Sequence, residues 1–132
     1  MIERLKQNRF LWYQGPMIAW AEALFVQSSI PGEFIPKEGI FTHDKLIHFV
    51  IYVLFAISVH RALRYQNKFP FLARHHYVFT ILIVSLYGIS DEFHQSFVPN
   101  RSGRVNDWLA DTLGGIVYVG FHWLRARWKG IR

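Results

Sequence analysis

The sequence predicts an all-α polytopic membrane protein with four transmembrane helices and both termini in the cytoplasm. Three observations support this fold class. Hydrophobic residues make up 52% of the chain and include twelve phenylalanines and five tryptophans, more than a small soluble domain usually holds. Charged residues collect between four apolar runs, each close to the roughly 20 residues that a bilayer requires. The lysines and arginines also divide unequally between the two sides that such helices define.

The length of 132 residues is that of one domain, and we expect a single domain over residues 1–132. The four predicted spans cover approximately residues 10–27, 45–63, 76–94 and 107–124. The first span contains Glu22, which we expect to face other helices rather than lipid. A basic start followed by apolar residues would also fit a signal peptide. Pro16 and Trp20 fit poorly near a cleavage site, so a first membrane helix is the preferred interpretation.

The remaining spans are separated by clear breaks. Residues 28–42 contain prolines and glycines and should form an irregular loop, after which Thr42 or Asp44 can cap the second helix. Pro70 breaks the basic connection that follows. Residues 97–104 are rich in Pro, Asn and Gly and should form the third loop. In the fourth span, Ala110 and Gly114 are a small-residue pair that lets helices approach closely.

Charge places the termini and the acids on opposite sides of a membrane. Eleven of the fifteen lysines and arginines fall at the termini or in the second connection, which places these segments in the cytoplasm. Seven of the nine acids fall in the outer loops or at the outer helix ends. The topology rule does not require outside acids, so we infer a polar site facing out. The histidines expected at the cytoplasmic interface are His60, His75, His76 and His122.

The candidate site residues come from three spans and the third loop. On a helix, residues four apart share a face, which groups positions 44, 48 and 52, and positions 87, 91 and 95. His94 points away from the second of these faces. The predicted catalytic residues are His48, Asp44, Asp91, Glu92 and Asp107. The predicted substrate-binding residues are Lys45, Gln95, Arg101 and Asp111.

The chemistry of these side chains suggests an enzyme acting on a phosphate headgroup. Asp44, one turn before His48, would orient the imidazole as a general base. Repulsion among the neighbouring carboxylates would keep one of them protonated as an acid. The planar guanidinium of Arg101 suits a phosphate, because it binds two oxygens at once. The sequence thus suggests a transferase or hydrolase acting on an envelope lipid, although turnover itself is left open.

Three other interpretations stay open. A divalent metal ion could be held by Asp44, His48, Asp91 and Glu92. Lys45, Arg101 and the acids could instead form a structural ion-pair cluster. A transport module would use Glu22 and Asp111 as intramembrane proton or ion groups. The chain has no cysteine, which excludes thiolate metal sites and cysteine nucleophiles. Nucleic acid is not expected as a partner despite the net charge of +6, because the basic residues flank apolar runs and do not form one patch.

Three spaced motifs carry a family resemblance. They are Asp-Lys-x-x-His at 44–48, Ser-Asp-Glu-x-x-Gln-x-Phe-x-Pro-x-Arg-x-Gly at 90–103, and Asp-x-x-x-Asp-x-x-Gly at 107–114. Together they resemble the VanZ-like membrane protein family, with the departure that many members carry asparagine at the position of Asp111. The resemblance implies a small multi-pass protein of the bacterial inner membrane, linked to lowered susceptibility to teicoplanin and other glycopeptide antibiotics. The residues themselves, with a basic loop beside acids at the lipid boundary, suggest membrane lipids and a lipid-linked cell-wall precursor or glycolipid as partners.

Overall fold

Four long helices and two short helical segments follow one another in a computed structural model that describes residues 8–36 and 44–130, without the side chain of Asp44. The elements are α1 (Arg9–Ser28), a 3-10 turn (Gly32–Phe34), α2 (Asp44–Tyr65), α3 (Pro70–Arg74), α4 (His76–Gln95) and α5 (Val105–Trp128). The described residues contain no strand, which confirms the predicted all-α class.

Local sequence signals explain where several helices begin. The Asn8 side chain accepts a hydrogen bond from the Leu11 backbone N–H (3.2 Å) and so caps α1. Pro70 occupies the first turn of α3, where its missing N–H has no intrahelical partner to lose. This short helix lies within the basic connection, which the sequence had predicted only as a break at Pro70.

Helix α2 lies at the centre of the bundle and packs against α1, α4 and α5, most extensively against α5. Gly114 of α5 makes this close approach possible, because a Cβ at Gly114 would lie 2.7 Å from the Phe49 carbonyl oxygen. Gly114, one member of the predicted small-residue pair, therefore lies at a close contact between helices. The apolar core between the helices includes Tyr52, Phe55 and Val84, each 1% exposed or less.

Apolar side chains cover much of the exterior, and several acids are buried. Exposed apolar side chains lie along all four long helices, for example Ile18, Leu54, Leu86 and Phe121. Four acids lie inside and are 7% exposed or less: Asp91, Glu92, Asp107 and Asp111. Such a large exposed apolar surface marks a contact with membrane or with another protein.

One helix in the described part of the chain, Lys45–Tyr65, is long and apolar enough by itself to cross a membrane, with a mean hydropathy of 1.9. The crossing of the other three helices and the side of the termini stay predictions.

The expectation for Glu22 was wrong, because its side chain is exposed on the outside of α1 and does not face the other helices. It lies on the outer face of α1, among the exposed apolar residues Phe25 and Val26.

Candidate functional site

Three side chains from three helices meet at one end of the bundle. His48 Nδ1 lies 2.9 Å from Asp111 Oδ1 and 3.8 Å from Glu92 Oε1. Asp111 is fully buried, and the side chain of His48 is 12% exposed. The convergence of α2, α4 and α5 at this end follows from the close packing of α5 on α2. These contacts make an imidazole–carboxylate cluster whose short pair, His48 and Asp111, is 63 residues apart in sequence.

Glu92 is held by the start of α5. Its Oε2 accepts a hydrogen bond from the backbone N–H of Arg104 (2.7 Å). Arg104 is the residue that immediately precedes the first turn of α5. A carboxylate at a helix N-terminus is favoured by the helix dipole. Gly103 permits this arrangement, because a Cβ there would overlap the Glu92 backbone oxygen. The loop before α5 can thus cross the end of α4 closely only with glycine at this position.

Asp91 lies on the neighbouring face of α4 and joins α4 to α2. Its Oδ2 accepts hydrogen bonds from the Tyr52 hydroxyl (3.4 Å) and from Gln95 Nε2 (3.2 Å). The pairing with Gln95 follows from the four-residue spacing on one helix. Tyr87, on the same predicted face, instead donates to the Ala21 backbone oxygen of α1 (2.5 Å). Asp91 therefore sits in a buried hydrogen-bonded position beside the His48 cluster.

A two-lobed cavity opens beside these groups. Each lobe has a volume of about 320 Å³. The polar lobe is lined by Gln95, Arg104 and Asp107, whereas the apolar lobe is lined mainly by aliphatic and aromatic side chains from α1, the 3-10 turn and α2. His48 and Arg101 line both lobes. The cavity thus offers a polar chamber and an apolar chamber that share an imidazole and a guanidinium on their common wall.

The three remaining predicted side chains differ in their placement. Asp107 is buried on the polar lobe, and its Oδ1 has no hydrogen-bond partner among the described residues. Lys45 is exposed, and it does not line either lobe. Within the described part of the chain, neither Lys45 nor Arg101 forms an ion pair with a carboxylate. The proposed ion pairs between these two cations and the acids are therefore not found there.

A metal ion would find one set of ligands in the described part of the chain. The imidazole of His48 and the carboxylates of Glu92 and Asp111 place one ligand atom each within 4.8 Å of the others. Glu92 Oε1 has no hydrogen-bond partner there. The set shares His48 and Glu92 with the ligands proposed from sequence. It contains Asp111 in place of Asp91, which is bonded to Tyr52 and Gln95.

Sequence reasoning found the residues of the cluster but not their pairing. It paired His48 with Asp44, whose side chain lies outside the described residues. In the structure His48 contacts Asp111 of α5. The four-residue spacing of a helix relates residues of one helix only, so it could not predict this contact between two helices. His94 points elsewhere, as predicted, because its Nε2 lies 2.9 Å from the Ser29 hydroxyl of α1. Tyr52 was placed on the correct face, although its hydrogen bond to Asp91 was not predicted.

Comparison with known proteins gives one result. No curated protein and no solved structure matches the chain. A family model described as VanZ/LLP1 matches residues 7–126, which include α1, α2, α4 and most of α5. The matched region holds every residue of the cluster and of the cavity described above. The chain therefore belongs to the VanZ/LLP1 family.

Proposed function

We propose that this protein is a four-span protein of the bacterial inner membrane whose cavity opens on the extracytoplasmic side. The apolar exterior of all four long helices supports a membrane environment. Eleven of the fifteen lysines and arginines fall near the termini, in the last turns of α2 or in the connection from α2 to α4, and this excess supports a position of the opposite end, with the cavity, outside the cytoplasm.

The cavity's ligand, in this proposal, is the phosphate-bearing headgroup of a lipid-linked envelope substrate. The observation that carries the proposal is the wall shared by the two lobes, where His48 and Arg101 stand between a polar and an apolar chamber. A phosphate beside Arg101 would have its sugar or hydroxyl part in the polar lobe. Its hydrocarbon chain would pass the apolar lobe, lined by Leu24, Phe34 and Ile51. A guanidinium is suited to phosphate because it can donate two parallel hydrogen bonds.

His48 supplies the chemistry for hydrolysis or transfer at that phosphate. When Nδ1–H donates to Asp111, the imidazole is fixed in the tautomer in which Nε2 carries the lone pair of a general base. Water, or an acceptor hydroxyl in transfer, attacks phosphorus and gives its proton to Nε2. The phosphorus–oxygen bond to the leaving group breaks, and the departing oxygen takes up the proton that His48 has received. No oxidation or reduction is involved.

A divalent cation at His48, Glu92 and Asp111 is a second candidate. The clustering of the three ligand atoms within 4.8 Å favours it, and a mixed histidine and carboxylate set suits zinc or manganese. Elemental analysis of the purified protein tests this directly. If the cation is resident, we expect about one equivalent of metal in the wild type and none in Glu92→Gln. If His48 acts as a base without a metal, we expect no metal in either protein.

The cellular test uses teicoplanin susceptibility in a bacterial host that expresses the chain. We expect His48→Asn to return susceptibility to the level of the empty host. The matched control is His94→Asn, the same substitution at the same end of the bundle on a side chain outside the cavity. Both variants must reach the membrane in wild-type amounts. Full retention of lowered susceptibility by His48→Asn would remove the proposed role of the cavity.

The binding test uses a short-chain polyprenyl phosphate in mixed micelles. Arg101→Gln removes the guanidinium at the shared wall and should weaken binding on the order of tenfold, because a charge-assisted hydrogen bond contributes roughly 1.5–3 kcal/mol. Lys45→Gln is the matched control, because it removes the same charge at an exposed position off the cavity. Equal affinities of the wild type and Arg101→Gln would contradict the proposed position of the phosphate.

A further inference from the structure

A second cavity lies at the opposite end of the bundle. It has a volume of about 580 Å³ and forms where the end of α2, the start of α4 and the end of α5 meet. The lining residues are Arg64, His76, Tyr77, Trp123, Ala126, Arg127 and Gly130. Arg64 follows His48 on α2 by sixteen residues, so at 1.5 Å per residue this basic cavity lies about 24 Å from the first one. It is therefore a separate site.

In the part of the chain that the structure describes, the two guanidiniums of the basic cavity have no hydrogen-bond acceptor. Among the described residues, neither Arg64 nor Arg127 forms a hydrogen bond or an ion pair, and no carboxylate lines the cavity. Their contacts are with aromatic rings: Arg64 lies over Tyr65 at 5.6 Å, and Arg127 lies over Trp123 at 4.8 Å. Ring contacts leave the N–H groups of both guanidiniums for a ligand.

A hydrogen-bonded chain of side chains leads from the protein interior to this cavity. The Tyr118 hydroxyl lies 2.8 Å from His60 Nδ1, and His60 Nε2 lies 2.8 Å from His76 Nδ1. His60 is only 3% exposed and is therefore packed inside the bundle. His76 lines the cavity. The last ring nitrogen in this series of hydrogen bonds is His76 Nε2. Whether it donates or accepts depends on which partner is the donor in each of the two preceding hydrogen bonds.

We propose that the basic cavity binds a phosphate group, held by Arg64 and Arg127 and by His76 Nε2–H. An anion selects one direction for the chain. Tyr118 donates to His60 Nδ1, His60 Nε2–H donates to His76 Nδ1, and His76 Nε2–H then donates to the phosphate. Tyr118 and His60 are positioning residues, because they act on the ligand only through His76. The reverse direction would present a lone pair to the anion and would repel it.

An anionic lipid headgroup and a soluble phosphate share this chemistry. The four-span topology places the basic cavity at the cytoplasmic interface, where basic pockets between helices meet anionic headgroups. The exposed Trp123 and Trp128 at the same helix end are typical of a membrane interface. These observations favour the lipid, and the experiment separates the two sources.

The first test is native mass spectrometry of the full chain in detergent containing equal amounts of phosphatidylglycerol and phosphatidylcholine. We expect the wild type to retain phosphatidylglycerol at least about tenfold more than phosphatidylcholine. The double variant Arg64→Gln/Arg127→Gln should lose the preference. Arg125→Gln is the matched control, because it lies on the same helix end without lining the cavity, and it should keep the preference.

The second arm uses inorganic phosphate and phosphorus NMR in the absence of charged lipid. Broadening of the phosphate signal by the wild type, lost in the double variant and kept in Arg125→Gln, would assign a soluble phosphate to the cavity. Either a lipid preference or this broadening supports the proposal. The absence of both, or their equal loss in Arg125→Gln, would overturn it. Comparable unfolding profiles of the variants show that the binding results do not come from misfolding.

The third test determines which ring nitrogen of His60 and of His76 carries the proton. The measurement is nitrogen NMR of the histidine rings in the phosphate-loaded protein. We expect His60 and His76 both to carry the proton on Nε2. Tyr118→Phe removes the donor at the start of the chain, so His60 should then populate both tautomers and phosphate binding should weaken a few-fold. A purely packing role for Tyr118 would leave the tautomers unchanged. A proton on His76 Nδ1 in the loaded wild type would overturn the proposed contact.

Discussion

The buried pair between His48 and Asp111 makes the sharpest prediction about stability. A double-mutant cycle with His48→Leu, Asp111→Leu and both together isolates its contribution. Leucine removes the polar atoms while keeping an apolar side chain of similar size. Because the pair joins α2 to α5, the most extensive contact between helices, its loss should affect the unfolding of the whole bundle.

The structure sets the expected magnitudes. His48→Leu leaves the carboxylate of Asp111 fully buried, and among the described residues that carboxylate has no other hydrogen-bond partner. Removing one member of a buried charged pair costs about 3–5 kcal/mol. Asp111→Leu removes one partner of the partly exposed imidazole, which costs about 1–3 kcal/mol. The double variant leaves neither polar group behind, so we expect a coupling energy of about 1.5–3 kcal/mol.

The free energy of unfolding is measured in mixed micelles, with increasing denaturing detergent and loss of helical signal as the readout. The control cycle combines Asp111→Leu with His94→Leu. His94 bonds to Ser29 and stacks on Phe25, so it shares no partner with Asp111. The effects of these two changes should add within about 0.5 kcal/mol.

Two outcomes would refute this reasoning. Additive effects of His48→Leu and Asp111→Leu would show that the two side chains do not interact in the folded protein. A coupling equal to that of the control cycle would show that any pair of changes at this end of the bundle behaves alike.

Two further predictions concern the scaffold of the site. Gly103→Ala should lower the free energy of unfolding by at least about 1–3 kcal/mol, because its Cβ would overlap the end of α4. Gly120→Ala is the control, because a Cβ at Gly120 meets nothing within 4 Å. Alanine at this helical position should raise the free energy of unfolding by about 0.5–1 kcal/mol. Equal effects at the two glycines would contradict the close crossing of the loop and α4. Tyr52→Phe should cost only about 0.5 kcal/mol, since its bond to Asp91 is long and Gln95 still donates to that carboxylate. A loss above about 2 kcal/mol would mean that Tyr52 holds the site in another way.

The sequence predicted the long helices because their signal is local. Continuous apolar runs with breaks at Pro31, Pro70 and Pro99 are sufficient to locate α1, α2, α4 and α5. The short α3 was not predicted, because five residues carry no periodic pattern. The outward direction of Glu22 was also missed, since an acid in an apolar run gives no information about which face it occupies.

The site was only partly predictable, because its contacts join residues far apart in the chain. Motif spacing identified Asp91, Glu92 and Asp111 as members. The contact between His48 and Asp111 could not be predicted, because helix periodicity relates His48 only to positions on its own helix, such as 44 and 52. The burial of His60 was not predicted, because basic residues follow it closely in the sequence, although the apolar residues at 59, 62 and 63 were a signal that this turn is buried.

The proposed function depends most on the side of the membrane that the cavity faces, and labelling of single cysteines can measure this side. The chain has no native cysteine, so Ser102→Cys on the polar lobe and Asn67→Cys beyond α2 give labelling without background. Both positions are exposed. With a membrane-impermeant maleimide on intact spheroplasts, we expect Ser102→Cys to react at once and Asn67→Cys to react only after permeabilisation. The reverse pattern would place the cavity in the cytoplasm and contradict the proposed envelope substrate.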